Sequence, residues 1–154
     1  MLRILKNKIS GLKTYFNYTT KGLAHFPGKT RIRRFIELLF KKERITLKRI
    51  NYIFCDDEFL LHINKSFLKH DFYTDIITFN LSEDDTGVIG EVYISTDRIK
   101  ENAKTFDVTT KEEFLRVIIH GALHLCGYKD KKKSEIRVIR NKENEYLFLF
   151  IKFK

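Results

Sequence analysis

Apolar residues Ile32, Phe35, Ile36, Leu39 and Phe40 recur three and four apart, and Arg31, Arg33, Arg34, Lys41 and Lys42 fill the positions between and after them. That period predicts an amphipathic helix following the turn at Pro27. TLKRINYIFC (46–55) reads as a strand. Asp56 is placed to cap a helix whose inner face carries Phe59, Leu60, Ile63 and Phe67. DIITFNL (75–81) and VIGEVYIS (88–95) are rich in β-branched and aromatic residues and predict two strands, joined hairpin-fashion through EDDTG. Asp97 is expected to cap a helix through Lys104, and Thr110 with Glu113 to form the capping box of another. That second helix carries Phe114, Val117, Ile118, His120 and His124 and is expected to stop at Gly127. After the basic loop KDKKK a last helix is predicted from near Ser134 toward Phe148. The order α-β-α-β-β-α-α-α predicts an α+β fold, a small mixed β-sheet packed with several helices in a single domain over 1–154.

Within this pattern, HGALHLCGYKD (120–130) carries candidate chemistry. His120 and His124 stand one helical turn apart, so both imidazoles lie on one face and can reach one metal ion. Gly127 lets the chain turn, and Asp130 follows three residues later as a candidate third ligand. Two histidines and a carboxylate suit one zinc ion, Zn2+, with a fourth position left for water whose pKa would fall to about 7. The alternatives are two histidines satisfied within the core and an Asp130 that only pairs with Lys129, Lys131, Lys132 or Lys133. Cys126 is read as a buried structural thiol. Gly121 occupies the place where proteases of the H-E-x-x-H type carry their glutamate, which disfavours that mechanism and permits close approach by a backbone or ligand.

Charge sharpens the reading. The chain carries a net +10, and its first 50 residues hold 14 Lys/Arg against two acids, Glu37 and Glu43. Such an excess attracts polyanions through phosphate contacts, a solvated basic face being the alternative. The apolar stripe of MLRILKNKISGLKTYF is too modest for a membrane-surface helix, and no run is long enough to span a bilayer. The N-terminus lacks the pattern of a secretion signal, and Cys55 and Cys126 do not suggest a disulfide framework, so a reducing, cytoplasmic setting is expected. The abundant aromatics are read as core residues rather than as base-stacking platforms.

HGALHLCGYKD resembles the YbeY family, whose usual pattern is H-G-x-L-H-L-x-G-Y-D-H; residues 120–128 match every fixed position. LHINKSFLKHDFYTDIITF (61–79) resembles that family's L-N-x-x-[YF]-R-x-K-D-x-x-T-D-V-L-S-F segment, and GEVYIS (90–95) its G-D-I-x-I-x strand. The resemblance covers about residues 50–147 and leaves residues 1–30 as a poorly characterised basic segment. It implies a metal-dependent hydrolase domain. The activity implied is that of a zinc-dependent, single-strand-specific endoribonuclease in 16S rRNA 3′-end maturation and ribosome quality control. RNA and the ribosome would be its partners, no membrane is implied, and a monomer is favoured. The family's third histidine falls at Asp130, its arginine at Leu68 and its lysine at His70. No cation at Leu68 can then stabilise a phosphorane-like transition state. His70 is a candidate proton donor or phosphate contact, against an ordinary loop histidine. Asp71, Thr74 and Asp75 match the family and are candidates for shaping a substrate cleft, although Thr74 and Asp75 equally suit a turn and a cap. Three functions therefore stand open: the endoribonuclease, with no general base identified beyond a metal-bound water; a non-catalytic RNA- or ribosome-binding assembly factor with a structural metal; and a metal hydrolase for small molecules or peptides.

Overall fold

A computed structural model describes residues 11–19 and 28–154. The order is β1 (Thr14–Tyr18), α1 (Lys29–Lys42), β2 (Leu47–Cys55), α2 (Asp57–Ile63), β3 (Ile76–Asn80), β4 (Val88–Ser95), α3 (Thr96–Thr105), α4 (Thr110–Leu125) and α5 (Lys133–Lys152), with a π-helical turn, Asn64–Leu68, following α2. The strands form one mixed sheet in the order β1-β2-β4-β3. β1 and β4 flank β2 in parallel, and β3 pairs antiparallel with β4. The α+β class and the β3–β4 hairpin are as expected from the sequence.

Period-two alternation divides the sheet between two cores. Ile50, Tyr52 and Phe54 on β2, with Val92 and Ile94 on β4, face the large core made with α1, α3, α4 and α5. Cys55 and Ile77 face the opposite way and pack with Leu60 and Ile63 of α2. Helix α4 is the centrepiece of the large core, buried at Phe114, Leu115, Val117, Ile118, Ile119, Ala122, Leu123 and Leu125. The buried Tyr52 hydroxyl donates to the Ile118 carbonyl oxygen at 3.0 Å. Two glycines set how closely α4 lies on the sheet. A Cβ on Gly121 would stand 2.7 Å from Val92 Cγ1, and one on Gly90 would stand 2.5 Å from Leu125 Cδ1. The glycine in the histidine motif therefore serves approach to the sheet.

The structure corrects several local expectations. TYFNY (14–18) is a strand, added at the sheet edge against Ile50–Phe54. Ser95, not Asp97, caps α3 by accepting the Arg98 N–H, while Asp97 accepts the Asp57 N–H. Thr109, not Thr110, caps α4 through the Glu112 N–H; T-x-x-E occurs in both registers, and the earlier one wins. Phe67 does not join the inner face of α2, because the π turn widens the helix and rotates the ring outward, edge-on to Phe79 at 5.8 Å. The turn expected at Pro27 lies outside the described residues.

Asp56 caps α2 as expected, accepting the Phe59 N–H at 2.8 Å. Asp57, the first residue of that helix, accepts two bonds from Arg98 Nε and one from Nη2 and a fourth from Ser95 Oγ. Burial pushes the Asp57 carboxyl up, but the Arg98 and Ser95 bonds outweigh it and hold it below its ordinary value of about 3.9. Stability from this cluster is therefore present at neutral pH and lost as the pH falls below about 4. Asp57→Asn is expected to cost about 1–2 kcal/mol at pH 7. The gap between parent and variant should close on acidification in urea melts followed by circular dichroism; a gap that holds constant with pH would refute the assignment.

Candidate metal centre

The last two turns of α4 carry His120 and His124 with their rings perpendicular and 4.4 Å apart at the centroids. Each ring is held from behind. His120 Nδ1 lies 2.7 Å from Glu143 Oε1 on α5, and His124 Nδ1 lies 2.9 Å from the Tyr128 carbonyl oxygen. Burial pushes the Glu143 carboxyl up, yet the His120 hydrogen bond, with Arg140 and Arg116, holds it below the ordinary carboxylate value. An ionised carboxylate and a carbonyl oxygen only accept hydrogen bonds, so both Nδ1 atoms carry the proton. Both Nε2 lone pairs then point inward, and they face each other at 2.8 Å. Two bare nitrogen lone pairs repel at that separation, and a cation between them removes the repulsion.

Asp130 completes the group. Its Oδ2 lies 3.5 Å from His120 Nε2 and 3.3 Å from His124 Nε2. Ligands at about 2.0–2.1 Å around a tetrahedral ion stand roughly 3.3 Å from one another, so the two separations to Asp130 match a zinc-sized polyhedron, and the two Nε2 atoms, at 2.8 Å, would have to move apart by about 0.5 Å to join it. Among the described residues, His120, His124 and Asp130 form the one group of three or more metal-ligating side chains. The Asp130 side is 44% exposed, which leaves the centre open toward solvent.

The turn that brings Asp130 round follows from Gly127. With φ at 101°, Gly127 closes the helix by donating to the His124 carbonyl at 2.9 Å while Tyr128 N–H reaches Leu123 O at 3.1 Å. This is a Schellman ending, and it turns the Tyr128 carbonyl back onto His124. The Tyr128 hydroxyl donates to Glu43 Oε2 at the end of α1. Glu43 also accepts from Tyr146 and Lys142 of α5. Burial raises the Glu43 carboxyl, but these bonds outweigh it and hold it below its ordinary value. Beyond Asp130, the Lys131 and Lys132 N–H groups both donate to Glu135 Oε2 at 3.0 Å. The ligand loop is thus fastened at both ends.

Glu143, unnoticed in the sequence, is the central supporting residue. It is 3% exposed and accepts from Arg116 Nη1 at 3.1 Å, with Arg140 Nη1 at 3.3 Å. Its signal was an acid placed in an apolar stripe, since Ile139, Glu143, Tyr146 and Phe150 share the buried face of α5. Cys126 is part-buried, its thiol pushed up to about 12 by burial, in keeping with a structural role.

The other candidates lie on the segment leading into β3. Thr74 Oγ1 donates to the Ile76 carbonyl at 3.4 Å, and Asp75 accepts from Ser95 N–H through its carbonyl and from Asn102 through its side chain. Asp71 pairs with Lys65 at 2.8 Å. The His70 ring stacks on Phe72. This segment leads into β3, which packs against α4, where Ile76 Cδ1 would be 3.0 Å from a Cβ on Gly121. Among the described residues no helix is long and apolar enough to cross a membrane.

Residues 15–150 match the family model described as Endoribonuclease YbeY. The chain is 47% identical over 121 residues to the Endoribonuclease YbeY of Cytophaga hutchinsonii, covering 79% of this chain and 85% of that protein. It is 42% identical over 138 residues to that of Karelsulcia muelleri, covering 90% and 96%. The solution structure of a Thermotoga maritima protein superposes with a TM-score of 0.59 at 28% identity, covering 87% of this chain and 86% of the other. The chain therefore belongs to the Endoribonuclease YbeY family, a family of hydrolytic nucleases.

Proposed function

We propose that the chain is a zinc-dependent, single-strand-specific endoribonuclease that acts in the cytoplasm, as a monomer, on the 3′ end of 16S rRNA and in ribosome quality control. The observation that carries the metal part is the pair of inward Nε2 atoms of His120 and His124 with Asp130 Oδ2 beside them. Two imidazoles and one carboxylate suit zinc, and the open side leaves room for substrate. The RNA substrate and its ribosomal origin rest on family membership and on the +10 charge.

A bound zinc ion supplies Lewis acidity, polarising a phosphoryl oxygen and acidifying water. The chain's own residues do the rest. Glu143 keeps the proton on His120 Nδ1, and the Tyr128 carbonyl keeps it on His124 Nδ1, so each ring offers Nε2 to the ion. Arg140, half exposed beside Glu143, and the lysines flanking Asp130 present positive charge to a phosphodiester. Asp71, Thr74 and Asp75 shape the substrate cleft, and His70 is the proton donor or phosphate contact that stands near the position of the family's basic residues.

A second reading, a non-catalytic RNA- or ribosome-binding factor with a structural metal, is favoured by Leu68 in the family's arginine position. Metal content and cleavage of single-stranded RNA, measured on the parent, His124→Ala and Asp130→Ala, separate the two. The endoribonuclease predicts near-stoichiometric zinc in the parent, loss of metal in both variants, and cleavage that falls at least about 100-fold with it. Metal-replete parent that leaves RNA intact would favour the binding factor; parent purified without chelators and free of metal would overturn the metal site.

A further inference from the structure

The segment after α2 is a built loop that exposes its aromatic rings. The π turn ends at Lys69, which takes a left-handed φ of 60°. His70 N–H then donates to Asn64 O, and the buried Asn64 side chain donates to the Phe72 carbonyl at 2.9 Å. Tyr73 OH donates to Glu58 at 2.6 Å, Arg98 lies over the Tyr73 ring, and Lys65 pairs with Asp71. A loop fastened at so many points can fold its rings inward, yet Phe67 is 66% exposed, Phe72 56% and Tyr73 47%. Leaving aromatic surface in water forfeits burial energy. Rings held rigidly in solvent therefore have a use as a surface.

We infer that this loop is a base-stacking subsite for a single-stranded RNA entering the metal centre, an inference that rests on the reading of the chain as an RNA-acting enzyme. Three observations favour RNA over a protein partner. The rings are separate platforms rather than a continuous groove: Phe72 already carries the His70 ring stacked at 5.1 Å and 21°, while Phe67 leans edge-on against Phe79. Lys69, and Lys65 in its ion pair with Asp71, interleave with them, the pattern of cation and ring that tracks a single strand. The loop also leads into β3, which packs against α4, the helix that carries His120 and His124, with Ile76 beside Gly121. Where the family pattern has an arginine, Leu68 brings no charge, and stacking supplies contact to bases in its place. Every base has a face, so such a subsite selects unpaired strands without selecting sequence.

The chain contains no tryptophan, so Phe72→Trp introduces a single fluorescent reporter at the platform. A short 2′-O-methyl oligoadenylate titrated into this variant is expected to quench its emission, and a duplex of the same backbone to leave it unchanged. Phe67→Ala and Phe72→Ala should each weaken binding of the single strand about 10-fold with metal content unaltered. Phe72→Leu, which keeps apolar surface but removes the ring, should bind as weakly as Phe72→Ala. Emission unchanged at saturating single strand, equal quenching by duplex, or parental affinity in Phe72→Ala or Phe72→Leu would each overturn the subsite. Cleavage assays on the same samples keep the readings apart: quenching with no cleavage in the parent sinks the nuclease but not the subsite, and cleavage with a silent tryptophan sinks the subsite alone.

Discussion

Glu143→Ala is expected to weaken metal binding about 10- to 100-fold, although Glu143 is not itself a ligand. The carboxylate fixes the His120 tautomer at 2.7 Å, and without it Nδ1 and Nε2 compete for the proton and the ring is free to turn. The same change leaves Arg116, a largely buried guanidinium, without the carboxylate that neutralises it. Removing one partner of such a pair costs about 2–4 kcal/mol. Competitive zinc titration and thermal melts should therefore move together. Glu143→Gln, which keeps the shape and an accepting oxygen, should recover part of the metal affinity and little of the charge compensation. Wild-type zinc affinity in Glu143→Ala would refute the role assigned to α5.

Gly121→Val is expected to be more damaging to the fold than any surface change in the chain. The glycine is helical, so no unusual backbone angle is at stake; the cost is steric. The first added carbon already stands 2.7 Å from Val92 Cγ1 and 3.0 Å from Ile76 Cδ1. Both contacts are with buried or part-buried side chains packed on α4, so relief requires lifting the helix. Overpacking of this kind costs about 3 kcal/mol, against a few tenths recovered from helix propensity. For a chain of this size that lowers Tm by roughly 6–12 °C. Because His120 is the neighbouring residue, lifting α4 also alters its distance to Glu143, and zinc affinity should fall with stability. An unchanged Tm would mean that α4 does not lie on the sheet as described.

Local signals were legible where one residue type settles a question. The stripe Ile32–Phe40 places α1, Asp56 caps α2, and Gly127 ends α4 where the ligand loop must begin. The signals that misled were degenerate or long-range. Ser95, Thr96 and Asp97 are all competent caps, and only the packing of β4 selects Ser95. β1 is five residues at a sheet edge, too short to stand out, and gains its pairing from β2 some 36 residues on. Phe67 fits the α-period perfectly and was displaced by a single π turn. The histidine pair and its carboxylate could be read from spacing because all three lie within eleven residues, whereas the partners that aim them could not. Glu143 and Glu43 approach the site through tertiary packing alone.

That separation bears on portability. Residues 120–130 contain all three candidate ligands found among the described residues, yet as a free peptide they would be a floppy chelator with little to select one transition metal over another. The anchor for His120 lies 23 positions downstream, and the tether for Tyr128 lies 85 positions upstream. Transplanting the centre onto another scaffold would thus require grafting two distant carboxylates along with the motif. Searching for such centres by motif alone will also retrieve chains that carry the ligands but cannot orient them.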